Sequence, residues 1–148
     1  MPTVIIDAAK GLHQKAGTTA NPSGTVGGIK RVIEAKATSY TIVESTDLSG
    51  KLFTTTGASG AITFTLPTPS ASLKGCYYRF FNTVDQNMII DCAGGSNLFV
   101  ATNTIVSDSI TYSQSSEKIG ACIECICDGD KWLTMPMNYE AITCTIAG

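Results

Sequence analysis

The chain has 148 residues, enough for one domain with a single modest core, and only 15% of them are charged, giving a net charge of −2. Soluble proteins usually carry charge on about a quarter of their residues. No run of Lys or Arg occurs that could neutralise a phosphate backbone. Composition therefore excludes nucleic acid as a partner and predicts a weakly charged, hydroxyl-rich surface suited to contact with protein.

Residues 1–37 contain recurring glycines and scattered apolar residues without a lasting period, which predicts an extended N-terminal arm. The apolar stretch at residues 4–6 is too short for a signal sequence or a membrane span, so we expect neither export nor a membrane partner. A helix over residues 7–15 is an alternative, but Gly11 would cost it about 1 kcal/mol relative to alanine. Residues 29–34 are predicted to form either a strand or an extended segment that lies over a neighbouring protein.

An arm of this composition cannot bury enough apolar area to offset the entropy lost when it becomes ordered, so it needs a partner. We expect the apolar side chains of the arm to anchor it in a protein interface. The predicted interface residues are Val4, Ile5, Ile6, Leu12, Val26, Ile29, Val32 and Ile33.

Residues 38–148 predict one all-β domain, either an antiparallel β-sandwich or a small β-barrel, because short β-rich runs alternate with turn residues. The first runs are residues 40–44, 51–56 and 61–66. In the third run the apolar residues Ile62, Phe64 and Leu66 share one face, as expected for a half-buried strand. The prolines that follow would end this strand.

Residues 76–82 and 87–92 predict a hairpin closed by the four-residue loop 83–86. Alternation places one set of side chains toward the core: Cys76, Tyr78, Phe80, Met88, Ile90 and Cys92. Weaker runs follow at residues 98–101, 104–106 and 109–112.

The last hairpin has the clearest local pattern, with strands at residues 119–127 and 131–135 around Asp128, Gly129 and Asp130, since Asp-Gly suits the positive φ of a tight turn. Trp132 should lie on a half-buried face, and residues 139–146 predict a final strand. The predicted core comprises Ile62, Phe64, Leu66, Tyr78, Phe80, Met88, Ile90, Ile123, Cys125 and Trp132.

Catalytic chemistry finds little support in the sequence. The only histidine, His13, lies in the arm, where it could not be held as a catalytic site requires. Asp128 and Asp130 could begin a calcium loop, but the later oxygen ligands of an EF-hand are missing, and a plain hairpin turn explains both. We therefore predict no enzyme, no catalytic residue, no cofactor and no small-molecule substrate.

The six cysteines include a Cys-x-x-Cys at Cys122 and Cys125, which could indicate zinc or a redox pair. Along a strand, however, Cys125 and Cys127 point one way with Ile119, Ala121 and Ile123, whereas Cys122 points the other way. A zinc site would also need a second ligand pair. We therefore predict no metal and interpret the cysteines as reduced thiols packed like small apolar side chains.

Four segments, in this order, carry a family resemblance: residues 49–53, the Leu-Pro of residues 62–67, the G-x-x-[YF]-x-F of residues 75–80 and the D-G-x-x-W of residues 127–132. The succession resembles the capsid decoration (cement) proteins of tailed phages and the related modules of head and tail fibres. It covers roughly residues 40–135 and leaves the arm unmatched.

The resemblance implies a virion structural protein, made in the host cytoplasm and bound as a homotrimer to the capsid exterior. The implied partner is the major capsid protein, which the arm would clamp. The alternative is a head-fibre, tail-fibre or receptor-binding module. A glycan depolymerase is disfavoured, because enzymes resembling phage tailspikes are much longer and display clustered carboxylates.

Overall fold

The computed structural model describes residues 4–7, 11–14, 31–95, 97–100, 106–113, 118–137 and 144–147. The chain divides into two compact units between Lys30 and Arg31. In the first unit, β1 (Val4–Asp7) pairs antiparallel with β2 (Gly11–Gln14). The alternative of a helix over residues 7–15 is therefore wrong, because Gly11, which disfavours a helix interior, begins a strand.

The second unit is built from strands, and no α-helix occurs in the part of the chain that the structure describes. One short 3-10 turn lies at Ala71–Leu73. The all-β prediction is confirmed at this level. The strands are β3 (Ile33–Ala35), β4 (Tyr40–Thr41), β5 (Leu52–Thr54), β6 (Ile62–Leu66), β7 (Tyr77–Phe81), β8 (Met88–Cys92), β9 (Leu98–Val100), β10 (Ser109–Tyr112), β11 (Cys122–Cys127), β12 (Trp132–Pro136) and β13 (Cys144–Ala147).

These strands form a six-stranded sheet in the order β3-β5-β7-β11-β12-β9 and a five-stranded sheet in the order β13-β10-β8-β6-β4. Both sheets are mixed, and the described strands do not close into a barrel. From β3 to β8 the chain places successive strands in alternate sheets, so that β3, β5 and β7 are parallel neighbours, as are β4, β6 and β8. The prediction of purely antiparallel sheets is therefore wrong. Hairpins join antiparallel neighbours within one sheet, whereas here each connection from β3 to β8 leads from one sheet to the other.

The connection between β7 and β8 shows the difference most clearly. The two strands belong to different sheets, so the predicted hairpin through residues 83–86 is wrong and the segment is an arch. Asn82 is fully buried at its start. Its Nδ2 donates to the carbonyl of Gln86 at 2.8 Å, and its Oδ1 accepts from the Thr55 hydroxyl at 2.5 Å. One buried amide thereby ties the arch to the neighbouring strand.

Replacing Asn82 with alanine is expected to lower the free energy of unfolding by about 2 kcal/mol, because the buried Thr55 hydroxyl and Gln86 carbonyl would lose their partner. Urea unfolding followed by tryptophan fluorescence measures the change. Asp85→Ala is the matched control, since this exposed arch residue makes only a 3.8 Å ion pair with Lys118, worth about 0–1 kcal/mol. Equal losses in the two variants would contradict the assigned function of Asn82.

Side chains from both sheets meet in one core. The Phe64 ring of the five-stranded sheet lies 4.9 Å from the ring of Phe80 and 5.9 Å from that of Phe53, both in the six-stranded sheet. All ten predicted core residues are confirmed, with at most 1% of any of them exposed. Trp132, predicted for a half-buried face, is fully buried, and its Nε1 donates to the Pro67 carbonyl at 2.9 Å.

The last hairpin is confirmed as β11 paired antiparallel with β12. Asp128 Oδ1 accepts from the backbone N–H groups of Asp130 and Lys131 at 2.8 and 2.7 Å, and Gly129 has φ +105°. The strand begins at Cys122, later than predicted. The prediction that Ile119 points to the same side as Cys125 is wrong, because Cys125 is buried and Ile119 is 60% exposed. Gly120, at φ +95°, interrupts the alternation between Ile119 and the strand.

The weaker runs have mixed outcomes. Strands β9 and β10 fall where residues 98–101 and 109–112 predicted them, with the latter matched at both ends. The predicted run at residues 104–106 lies mostly outside the described residues. The final strand is present as Cys144–Ala147, whereas the start of its predicted range, residues 139–143, also lies outside them.

Candidate interaction surface

The outer face of the six-stranded sheet is apolar. Because side chains alternate along a strand and Phe53, Phe80 and Ile123 point into the core, the residues between them point outward. We call this surface the apolar outer face; its members are Ile33, Leu52, Tyr77, Arg79, Phe81, Cys122, Glu124, Ile126, Leu133 and Met135.

Strand register makes the face continuous. Ile126 lies opposite Tyr77 on one side and opposite Leu133 on the other. A second row runs from Ile33 through Leu52 to Met135 and includes the pair formed by Arg79 and Glu124. The exposed fractions are 65% for Ile33, 40% for Leu133 and 41% for Met135. Contiguous exposed apolar surface of this kind marks sites of interaction with protein.

One ion pair lies within this face. Arg79 Nε donates to Glu124 Oε2 at 2.9 Å, and the Arg79 Nη2 contacts the same oxygen. The two residues are directly opposite each other on β7 and β11. Their charges cancel, so they add no net charge to the face.

The outer face of the five-stranded sheet has a different character. Its outward positions are mostly hydroxyl-bearing: Thr41, Thr63, Thr65, Ile89, Asp91, Ser109 and Thr111. Such a face hydrogen-bonds readily with water. The domain therefore has one polar outer sheet face and one apolar outer sheet face.

A charged network joins β3, at the edge of one sheet, to β4, at the edge of the other. Lys51 Nζ donates to Glu34 Oε2 at 2.8 Å and to Asp47 Oδ1 at 2.9 Å. Asp47 is 2% exposed and also accepts from the Tyr40 hydroxyl and the Val43 N–H, each at 2.9 Å. This edge network fixes the chain where it enters the second unit.

Electrostatics reinforce the edge network. Burial alone would raise the pKa of the Asp47 carboxyl, but hydrogen bonds from Lys51, the Val43 N–H and the Tyr40 hydroxyl outweigh it and hold that pKa below its ordinary value. Hydrogen bonds from Lys36 and Lys51 lower the pKa of Glu34. The Lys36 ammonium also lies 3.3 Å from the centre of the Tyr40 ring. These charged groups therefore serve structure and are held in their ionised forms.

Burial keeps three thiols of the domain, those of Cys92, Cys122 and Cys125, in the protonated form. Burial, with a contribution from Asp91, raises the pKa of Cys92 to about 11, and burial also raises the pKa of Cys125 and Cys122. A thiol of raised pKa stays protonated at neutral pH and is a poor nucleophile or metal ligand. Within the described residues, no group of three or more His, Cys, Asp or Glu side chains is placed to hold a metal ion.

The predicted interface residues have different positions. Val4, Ile5 and Ile6 lie in β1, and Leu12 lies in β2. Val26 and Ile29 are outside the described residues. Val32 is 58% exposed, and Ile33 begins β3 and belongs to the apolar outer face.

Sequence reasoning missed the other members of this face. A signal for them exists, because residues 76–81 and 121–127 contain apolar residues at both alternating sets of positions. Such runs indicate strands covered on both faces.

No protein-family model matches the chain, and no curated protein is significantly similar to it. In the described residues, no helix is long and apolar enough to cross a membrane. The function proposed below therefore rests on the chemical character of the described residues.

Proposed function

We propose that this chain is a non-enzymatic virion structural protein, a capsid decoration (cement) protein that binds the outer surface of the major capsid protein lattice. The N-terminal two-stranded sheet, which needs a partner surface to be stable, is the observation that supports this proposal most strongly. In the proposed molecule the two sheets form a β-sandwich, residues 1–30 form the arm that contacts the capsid, and three copies assemble on each site.

The placement of the ionisable groups supports a structural function. Asp47, Lys51 and Glu34 are engaged in the edge network, and Arg79 pairs with Glu124. The buried thiol of Cys125 is held protonated. Enzymes arrange such groups in clefts with pKa values near the working pH. Here the pKa values of Glu34 and Asp47 are lowered and those of Lys51 and Cys125 are raised, so all four move away from neutrality.

The N-terminal unit supports binding to a large partner. Its described strands, β1 and β2, form a two-stranded sheet, and isolated two-stranded hairpins are at best marginally stable in water. A partner surface would provide the missing burial. Segments that become ordered on binding can cover large surfaces through many small contacts, which is what reinforcement of a capsid lattice requires.

Deleting residues 1–30 is expected to abolish capsid binding and leave a folded domain. The cut belongs after Lys30 because the Lys36 N–H donates to the Thr54 carbonyl at 2.8 Å and β3 pairs with β5; removing residues 1–37 would also damage the sheet. Binding is measured by co-sedimentation with capsids that lack the chain, and folding by a cooperative thermal transition. Undiminished binding by a folded truncation would contradict the proposal.

A further inference from the structure

We infer that the apolar outer face of the six-stranded sheet is where copies of this chain bind one another. The inference builds on the proposed structural function by naming the partner that covers this face. It assigns contact between copies to the sheet and leaves the arm available for other protein.

The first argument is the amount and type of exposed side chain. Ile33, Leu133 and Met135 expose between 40% and 65% of their surface, and strand register places them on one surface that also contains Tyr77 and Ile126. Interfaces between identical subunits are more apolar than those of proteins that associate transiently. Met is also enriched in interfaces, whereas uncovered surfaces favour charge.

The second argument is charge complementarity. The polar groups near the middle of the face, Arg79 and Glu124, are opposite in sign and adjacent on neighbouring strands. When copies meet through this face around a symmetry axis, the Arg79 guanidinium of one copy can lie near the Glu124 carboxylate of the next. The face is therefore compatible with a copy of itself, and it has no unbalanced charge that a different partner would need to match.

The five-stranded sheet provides the internal comparison. Its outward positions carry one charged residue, Asp91, and one apolar residue, Ile89, among threonines and serine. Two copies meeting through that face would bring like charges together and bury hydroxyls that are already hydrated, both of which are unfavourable. Of the two outer faces, only that of the six-stranded sheet is suited to self-association.

The test is the mass of the purified full-length protein in solution, measured by sedimentation across a range of concentrations. The wild-type protein should be an oligomer. The double variant Leu133→Glu/Met135→Glu should self-associate about 100-fold more weakly, because it places like charges in a desolvated contact. Thr41→Glu/Val43→Glu is the matched control, since both residues are exposed and flank Ile42, whose N–H donates to the Thr65 carbonyl in the five-stranded sheet.

A charge exchange gives a second, independent readout. Arg79→Glu alone should weaken self-association, and the exchanged pair Arg79→Glu/Glu124→Arg should restore it, because complementarity between copies is regained. Thermal unfolding of every variant verifies that the domain is folded. A monomeric wild-type protein, an unchanged mass for Leu133→Glu/Met135→Glu, or an equal effect of the control would each overturn the inference.

Self-association through this face and capsid binding can be tested independently of each other. A monomer that binds capsids would refute the self-association surface and leave the decoration function standing. An oligomer that binds no capsid would do the reverse.

Discussion

Replacing Trp132 with alanine is expected to lower the free energy of unfolding by about 3–5 kcal/mol, the largest loss we expect from any single substitution in this chain. Trp132 is fully buried, and its ring lies 5.9 Å from that of Tyr78. Its indole N–H donates to the Pro67 carbonyl, which lies just after β6 in the other sheet. The substitution would therefore leave a cavity and remove a hydrogen bond between the sheets.

Urea unfolding followed by far-UV circular dichroism measures this loss. Val43→Ala is the control, because Val43 is 47% exposed and lies outside the apolar outer face; we expect it to cost less than about 1 kcal/mol. Trp132→Phe separates the two contributions, because it keeps most of the buried ring and loses only the hydrogen bond, worth about 1 kcal/mol. A Trp132→Ala loss no greater than the Val43→Ala loss would show that the core is assigned wrongly.

The second large effect is expected at Asp47. Asp47→Ala should lower the free energy of unfolding by about 3 kcal/mol, because it leaves the Lys51 ammonium with one fewer anionic partner and leaves the Val43 N–H without its acceptor. The edge network that joins β3 to β4 would open. Chemical denaturation at pH 7 measures the loss.

Acid should have the same effect on the wild-type protein. The folded-state pKa of Asp47 is depressed, so its stabilising contribution is complete above the unfolded-state value near 3.8 and is lost as the pH falls through the lower, folded-state value. Glu34 contributes in the same direction. Asp47→Asn should therefore show a flatter decline in stability below about pH 4 than the wild-type protein. An identical decline for Asp47→Asn would contradict the assigned ion pairs.

The direction of most strand side chains could be predicted from the sequence. Alternation placed Phe64, Tyr78 and Ile90 in the core, and all three are buried. Alternation of apolar and polar residues shows on which face of its strand a residue lies. This pattern can be recognised from a few neighbouring residues.

The sheet to which each strand belongs could not be predicted in the same way. Phe80 and Met88 both point inward whether their strands form a hairpin or lie in opposite sheets, so the pattern around residues 83–86 fits either connection. Pairing of Leu52 with Arg79 spans many residues, and no local feature of either strand specifies it. The four-residue spacing favoured a hairpin, but the buried contacts of Asn82 hold an arch.

Of the apolar outer face, the sequence analysis singled out only Ile33. It was predicted as an interface residue because the arm, residues 1–37, has no core of its own, and it is 65% exposed. Leu133 and Met135 were not singled out, because alternation alone shows that a residue points outward and does not show what lies beside it. Their significance depends on Tyr77 and Ile126 in neighbouring strands, which only the sheet order brings beside them.

Electron cryo-microscopy of purified phage particles that contain this chain tests the central proposal most directly. The account predicts density for the β domain over the capsid exterior, in many copies arranged on the symmetry of the major capsid protein lattice, with the N-terminal segment lying against capsid subunits. Density in only a few copies on the tail or on fibres would favour the receptor-binding alternative and contradict the decoration function.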